Sequence, residues 1–185
     1  MSFEPREITD AKTMRALAHP VRLALLEALA DAPSLTATEA GEQVGESPAN
    51  ASFHLRQLAK YGFAEEAEGG TGRRRPWRLK HPGMRFTDVH EDPETARAGR
   101  ALSQVMRSRY FDRAQRAFEE RHALPPEWRT VTGVNQMRFY LTPDELEQLD
   151  KDVLDLMMER FADRRLHQPP GTERVEILTM AYRTP

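Results

Sequence analysis

The chain has 185 residues, 39% hydrophobic and 30% charged, with a formal net charge of −2 and no cysteine. That length holds one or two small domains with a real core, in a composition typical of globular proteins. The missing thiols exclude disulfides, cysteine zinc sites and thiol catalysis, and no apolar run reaches the length of a membrane span.

The opening "MSFEPREITDAK" has no apolar run and carries early acids, so it does not read as a signal peptide. A cytoplasmic protein without membrane contact is expected. A near-neutral total does not argue against a polyanionic partner, because a local basic patch acts while the rest of the chain compensates.

Residues 10–31, "DAKTMRALAHPVRLALLEALAD", predict two helices parted near His19 and Pro20. Pro20 suits a first turn, where its missing N–H costs nothing. Val21, Leu23, Leu25, Leu26 and Leu29 then supply a wide apolar stripe. "SLTATEAGEQVGES" predicts a short helix with Ala37, Ala40 and Val44 inward and Gly45 as its stop. After a tight turn, "SPANASFHLRQLAKYG" predicts a third helix, with Ser47 as N-cap, Pro48 at N1 and Gly62 beyond the last turn. "FAEEAE" and "RRRPWRLK" flank "GGTG" as two short strands of a hairpin.

"HPGMRFTDVHEDPE", polar and holding two prolines and a glycine, reads as a linker or irregular connection. A long helix follows from Pro93 to Arg121, with a stripe of Leu102, Val105, Met106, Tyr110, Ala114, Ala117 and Phe118. "ALPPEWRTVTG" breaks it. "NQMRFYL" alternates as a strand. "TPDELEQLDKDVLDLMMERFADRR" is a second strong helix, opened by the capping-box combination Thr142, Pro143 and Glu145. Its Leu146, Leu149, Val153 and Leu156 recur at three- and four-residue steps. "RVEILTMAY" ends the chain as a strand with apolar residues on both faces, which requires cover on both sides.

Helix 48–61 invites a simple test. A helix that enters a DNA major groove buries one face and keeps the other free of bulk and acid. On a wheel of about 100° per residue, Ala51, Leu55 and Leu58 cluster toward the core. The opposite face collects Ala49, Ser52, Phe53, Arg56 and Lys60, with Asn50 and Gln57 at its margin. No acid occurs from Ser47 through Gly62.

"LAHPVRLALLEAL", "SPANASFHLRQLAKYGF" and "GGTGRRRPWRL" together resemble the ArsR-type family of bacterial winged helix-turn-helix transcription regulators, over residues 10 to about 80. Ser52, His54, Leu55, Leu58 and Gly62 carry the resemblance in the third helix. It implies that Asn50, Ser52, Phe53 and Arg56 face the groove, with His54 on the flank near phosphate. Phe53 departs from the polar residue usual at its position, offering an apolar contact to a thymine methyl or to a partner helix. The resemblance also implies repression by promoter occlusion rather than activation. The glycines of the hairpin tip allow close approach to DNA, where Arg73, Arg74 and Arg75 would meet the negative potential of a minor groove or the backbone. Trp77 suits packing at the base of this wing.

The expected fold is therefore mainly α with a small β content. A winged helix-turn-helix domain over 1–81 is followed by a linker at 82–92. Residues 93–185 then form a long dimerisation helix and a small α+β unit. The expected partners are double-stranded DNA and a second copy of the chain, since two half-sites read more sequence than one. The α+β unit suits either pure dimerisation or an effector pocket lined by Trp128, Phe139, Tyr140, Met157 and Phe161.

Competing chemistries find less support. "GGTGRRR" lacks the lysine and Ser/Thr pair of a nucleotide-binding loop. "TATEAGEQVG" offers no soft-metal ligand where the ArsR-type family often has cysteines. Asp88, His90, Glu91 and Asp92 are ligand types bunched in a polar connection and read as solvated. The arginines of the long helix alternate with acids and read as a solvated face. No catalytic constellation can be defended from spacing, so no enzyme activity, cofactor or metal is expected. Rival readings are a winged-helix protein-interaction module without DNA binding, and a ligand-binding or enzymatic unit over 93–185.

Overall fold

The computed structural model describes residues 6–70, 75–81, 83–165 and 168–184. The chain is mainly helical with small sheets, and it divides into two compact units, Met1–Arg109 and Tyr110–Pro185.

The first unit packs four helices in its amino-terminal half. Asp10 starts α1 (Ala11–Leu17) by accepting the Thr13 N–H at 2.8 Å. His19 caps α2 (Pro20–Ala30), where Pro20 gives up no hydrogen bond. Thr36 and Glu39 form a full capping box on α3 (Ala37–Val44), and Gly45 closes that helix at φ +73°. Ser47 then caps α4 (Pro48–Lys60). Met14, Leu17, Leu25, Leu29, Leu55, Leu58 and Leu102 are fully buried between these helices. Each such side chain contributes about 1.5–3 kcal/mol of transfer free energy.

Two small sheets complete the unit. β3 (Ala64–Glu66) and β4 (Pro76–Leu79) pair antiparallel, with Glu66 opposite Trp77 and Ala64 opposite Leu79. Trp77 is buried at the base of this hairpin. On its other side β4 pairs with β2 (Leu35–Thr36), a two-residue strand in the segment expected to be wholly helical.

Within the linker expected over 82–92, the described residues include a short strand. This is β5 (Met84–Phe86), which pairs parallel with β1 (Arg6–Ile8). Met84 and Phe86 pack on the core beside the buried Ile8. The first unit thus runs on to Arg109, because α5 (Pro93–Glu120) contributes Ala96, Ala98, Gly99 and Leu102 to its interior. A Cβ at Gly99 would lie 2.8 Å from the Asp88 Cα and 2.9 Å from the Thr87 carbonyl oxygen. Helix and connection therefore touch backbone to backbone.

The second unit contains the end of α5, a short α6 (Pro126–Val131) and α7 (Pro143–Phe161). The capping box on α7 is formed, with Thr142 N–H to the Glu145 carboxylate at 2.7 Å and Glu145 N–H to the Thr142 hydroxyl at 3.3 Å. The strands expected at 135–141 and 174–182 are not formed, so the α+β character expected of this unit is absent among its described residues. Alternation prepares a segment for a sheet, but a strand exists only where a second edge accepts its hydrogen bonds. Arg113 instead anchors the last segment to α5 by a two-pronged pair with Glu176, at 3.0 and 2.5 Å.

Candidate nucleic-acid interface

Helix α4 is held against the core by one face. Ala51, Leu55 and Leu58 are buried, as the wheel requires. Ala49, Phe53, Arg56 and Lys60 are exposed, and Ser52, Asn50 and Gln57 are partly exposed. Ser47, itself exposed, accepts the Asn50 N–H at 3.2 Å and so orients the first turn. Arg56 reaches back one turn to donate to the Ser52 hydroxyl at 3.1 Å. The outward ridge carries two cations and no acid.

The turn before α4 is tight. Glu46 N–H donates to the Gly41 carbonyl at 2.8 Å, and a Cβ at Gly41 would stand 2.7 Å from the Glu46 carbonyl oxygen. Only a residue without a side chain fits there undistorted. The Glu46 carboxylate also accepts the Asn50 side-chain N–H at 2.6 Å. This acid one residue before the N-cap lies just outside the acid-free span, and its hold on Asn50 was not legible from spacing.

His54 is not on the phosphate flank. It is buried, because position 54 falls three after Ala51 and four before Leu58, on the inward stripe. Its ring lies 4.6 Å from that of His19, and Phe53 meets it edge-on at 5.2 Å. The His54 Nδ1 is buried without a hydrogen-bond partner. Burial lowers the His54 pKa below its ordinary value, with His19 and then Arg22 adding to the effect and Glu46 opposing it. The His19 pKa is lowered by burial and then by Arg22, again against Glu46. His19 also accepts the Val21 N–H on Nδ1 at 3.3 Å, which fixes that nitrogen as unprotonated.

In the wing, Gly69 and Gly70 adopt φ of +98° and +76°, the left-handed backbone a reversal needs. Arg73 and Arg74 lie outside the described residues. Arg75 is exposed but paired with Glu66 at 2.8 Å, and Arg78 pairs with Glu65 at 2.8 Å. The Arg75 charge is therefore partly offset within its own hairpin.

Arginines of α5 are likewise paired: Arg109 with Glu27 at 2.6 Å and Arg107 with Asp88 at 3.8 Å. Asp92 accepts from the Thr95 N–H and hydroxyl at the start of α5, and His90 contacts the Thr87 carbonyl. Both groups have local partners in the turn that leads into the helix. Of the side chains expected to line an effector pocket, Tyr140 is fully exposed and Phe139 and Phe161 mostly so, while Trp128 and Met157 are half-buried. An enclosed site takes its lining out of water, and these aromatic rings remain in it.

The short α3, the glycine-closed turn and the one-faced α4 have the arrangement of a helix-turn-helix. Residues 17–67 match the family model for a helix-turn-helix domain. The match spans α2, α3, α4 and the first strand of the wing, so the helix-turn-helix domain is amino-terminal and the long α5 follows it. No curated protein matches the chain. Among the described residues no helix is long and apolar enough to cross a membrane.

Proposed function

We propose that this chain is a sequence-specific, DNA-binding transcription regulator of ArsR-like winged-helix type that acts as a cytoplasmic homodimer and represses by occluding a promoter. One observation carries the reading: the exposed ridge Ala49, Ser52, Phe53, Arg56 and Lys60 on a helix whose other face is locked into the core. A helix about 10–12 Å across fits a major groove about 12 Å wide. Arg56 is the residue suited to guanine, Phe53 to a thymine methyl, and Lys60 to phosphate. Ser47, Asn50 and Gln57 border the same ridge, and the wing, with Arg73, Arg74 and Arg75, would reach the backbone or minor groove beside it. The role requires neither cofactor nor catalysis.

The test is selection of bound fragments from a random duplex library by the purified chain at stated salt. Enrichment of a two-fold symmetric motif supports the reading. Enrichment of no motif at any salt removes it. A second reading, a winged-helix module that binds protein, is favoured by the exposed Phe53 and by the internal pairing of Arg75. It predicts no salt-dependent duplex binding at all.

A further inference from the structure

Among the described residues of Met1–Arg109, Phe53 and Val89 are the only large apolar side chains that stand exposed. Val89 lies in the connection that leads into α5. Phe53 sits in the middle of the α4 ridge, 49% exposed, in a row whose other members are small or polar. The core of this unit closes without it, since Ala51, Leu55 and Leu58 supply the inward face of the helix. The ring therefore offers its apolar surface to something outside the unit.

The ring is braced. It meets the buried His54 imidazole edge-on at 5.2 Å, with 75° between the planes, and that imidazole rests in turn on His19 at 4.6 Å. Arg56 stands beside it. By donating to the Ser52 hydroxyl at 3.1 Å, the guanidinium bends back one turn, to the level of the residue before Phe53. Neighbouring helix residues differ by about 1.5 Å along the axis, less than the roughly 3.4 Å between base pairs. A flat apolar ring and a forked donor are thus presented together, to the same base pair or to adjoining ones.

Resting on the DNA-reading role above, we propose that Phe53 makes α4 a detector of the pyrimidine C5-methyl group, beside a guanine taken by Arg56. Thymine and 5-methylcytosine then satisfy the site alike, while unmethylated cytosine does not. In the major groove thymine shows a carbonyl oxygen and a methyl group, and cytosine shows a donor amine. A phenyl ring neither donates nor accepts at such an edge, so it responds to the methyl and not to the exchange of oxygen for amine. Methylation adds the same carbon to cytosine, at the same ring position and in the same groove. The mark therefore turns a poor site into a good one without changing its pairing. The neighbours of the ring select nucleic acid as its cover: Arg56 and Lys60 flank it, and no acid occurs from Ser47 through Gly62.

The test starts from the duplex that the full chain selects from a random library. Each thymine is replaced singly by deoxyuridine, which removes only the methyl group. The thymine that matters most is then exchanged, with its pairing partner, for cytosine and for 5-methylcytosine. Demethylation there should weaken binding about fourfold, as loss of one buried carbon predicts, and 5-methylcytosine should bind better than cytosine by the same factor. In Phe53→Ala both ratios should fall to one while the unfolding midpoint holds, because the core does not depend on the ring. Arg56→Ala should keep both ratios and relax a guanine in the same or an adjoining pair. Equal affinities for thymine and deoxyuridine at every position, or for cytosine with and without its methyl, overturn the proposal and leave the regulator reading standing. So does a methyl preference that survives in Phe53→Ala, or one that lies apart from the pair relaxed by Arg56→Ala. Failure to select any duplex at any salt removes the regulator reading itself, and this proposal with it.

Discussion

The imidazoles of His19 and His54 lie 4.6 Å apart, tilted by 40°, and join the start of α2 to the inward face of α4. Both pKa values are lowered in the fold from the ordinary 6.5, first by burial, then by neighbouring cations, so the neutral rings are favoured. A group with a depressed folded pKa gives stability that is full above its unfolded value and is lost as pH falls below it. The window opens near pH 6.5. Asp10, Glu39, Asp92 and Glu145 also have lowered pKa values, held by hydrogen bonds from Thr13, Thr36, Thr95 and Thr142, and their contribution is lost only below their ordinary 3.8 to 4.5. Urea unfolding at pH 7.5 and 5.5 should therefore show a loss that His54→Leu reduces. Equal losses in the two proteins would deny the pair any role.

Gly41→Ala should destabilise the helix-turn-helix by about 1–3 kcal/mol, the usual cost of overpacking. The new Cβ would meet the Glu46 carbonyl oxygen at 2.7 Å and the Ala51 Cβ at 3.3 Å. Gly45 is the contrast, with φ +73° and nothing within 4 Å of its virtual Cβ. Gly45→Asn should be nearly neutral, since asparagine tolerates the left-handed region. Denaturation midpoints of the two variants decide this; a milder effect at 41 than at 45 contradicts the close approach.

Arg56→Ala should weaken binding to a selected site by about 1–3 kcal/mol and relax base preference at one position, as expected for a bidentate guanine contact. Anisotropy titrations on the site and on single-base variants give the answer. An equal loss on every sequence would reassign Arg56 to phosphate.

Glu66→Gln should free Arg75 from its 2.8 Å pair and strengthen duplex binding. Each added phosphate contact steepens the plot of log affinity against log salt by about 0.9. Alanine at Arg73, Arg74 and Arg75 together should flatten the same plot. Unchanged slopes in both proteins would place the wing away from the backbone.

Much of the amino-terminal half was legible in the sequence because its signals are local. Pro20 and Pro48 at helix starts and Gly45 and Gly62 at helix ends each act within a few residues. The wheel of α4 likewise sorted Ala51, Leu55 and Leu58 from Arg56 and Lys60. What stayed hidden depends on distant partners. Three-residue β1 and β5 exist because Arg6–Ile8 and Met84–Phe86 meet across nearly eighty positions, with Arg6 over the Phe63 ring at 4.2 Å. The resemblance placed His54 near phosphate, whereas its spacing from Ala51 and Leu58 already puts it on the inward stripe; only its contact with the distant His19 was hidden. Residues 135–141 and 174–182 have the alternation of strands, but pattern alone supplies no neighbouring edge.

The Asn50–Glu46 contact bears on which bases the domain would favour. The carboxylate already occupies a donor of the Asn50 amide at 2.6 Å, so a DNA base must outcompete an internal anion before the amide turns outward. An adenine edge can take the amide's donor and supply a donor to its oxygen at once, whereas a base offering one bond merely trades like for like. Selectivity at that position would arise from competition inside the free protein, and replacing Glu46 would broaden tolerance there without altering any group that touches the duplex.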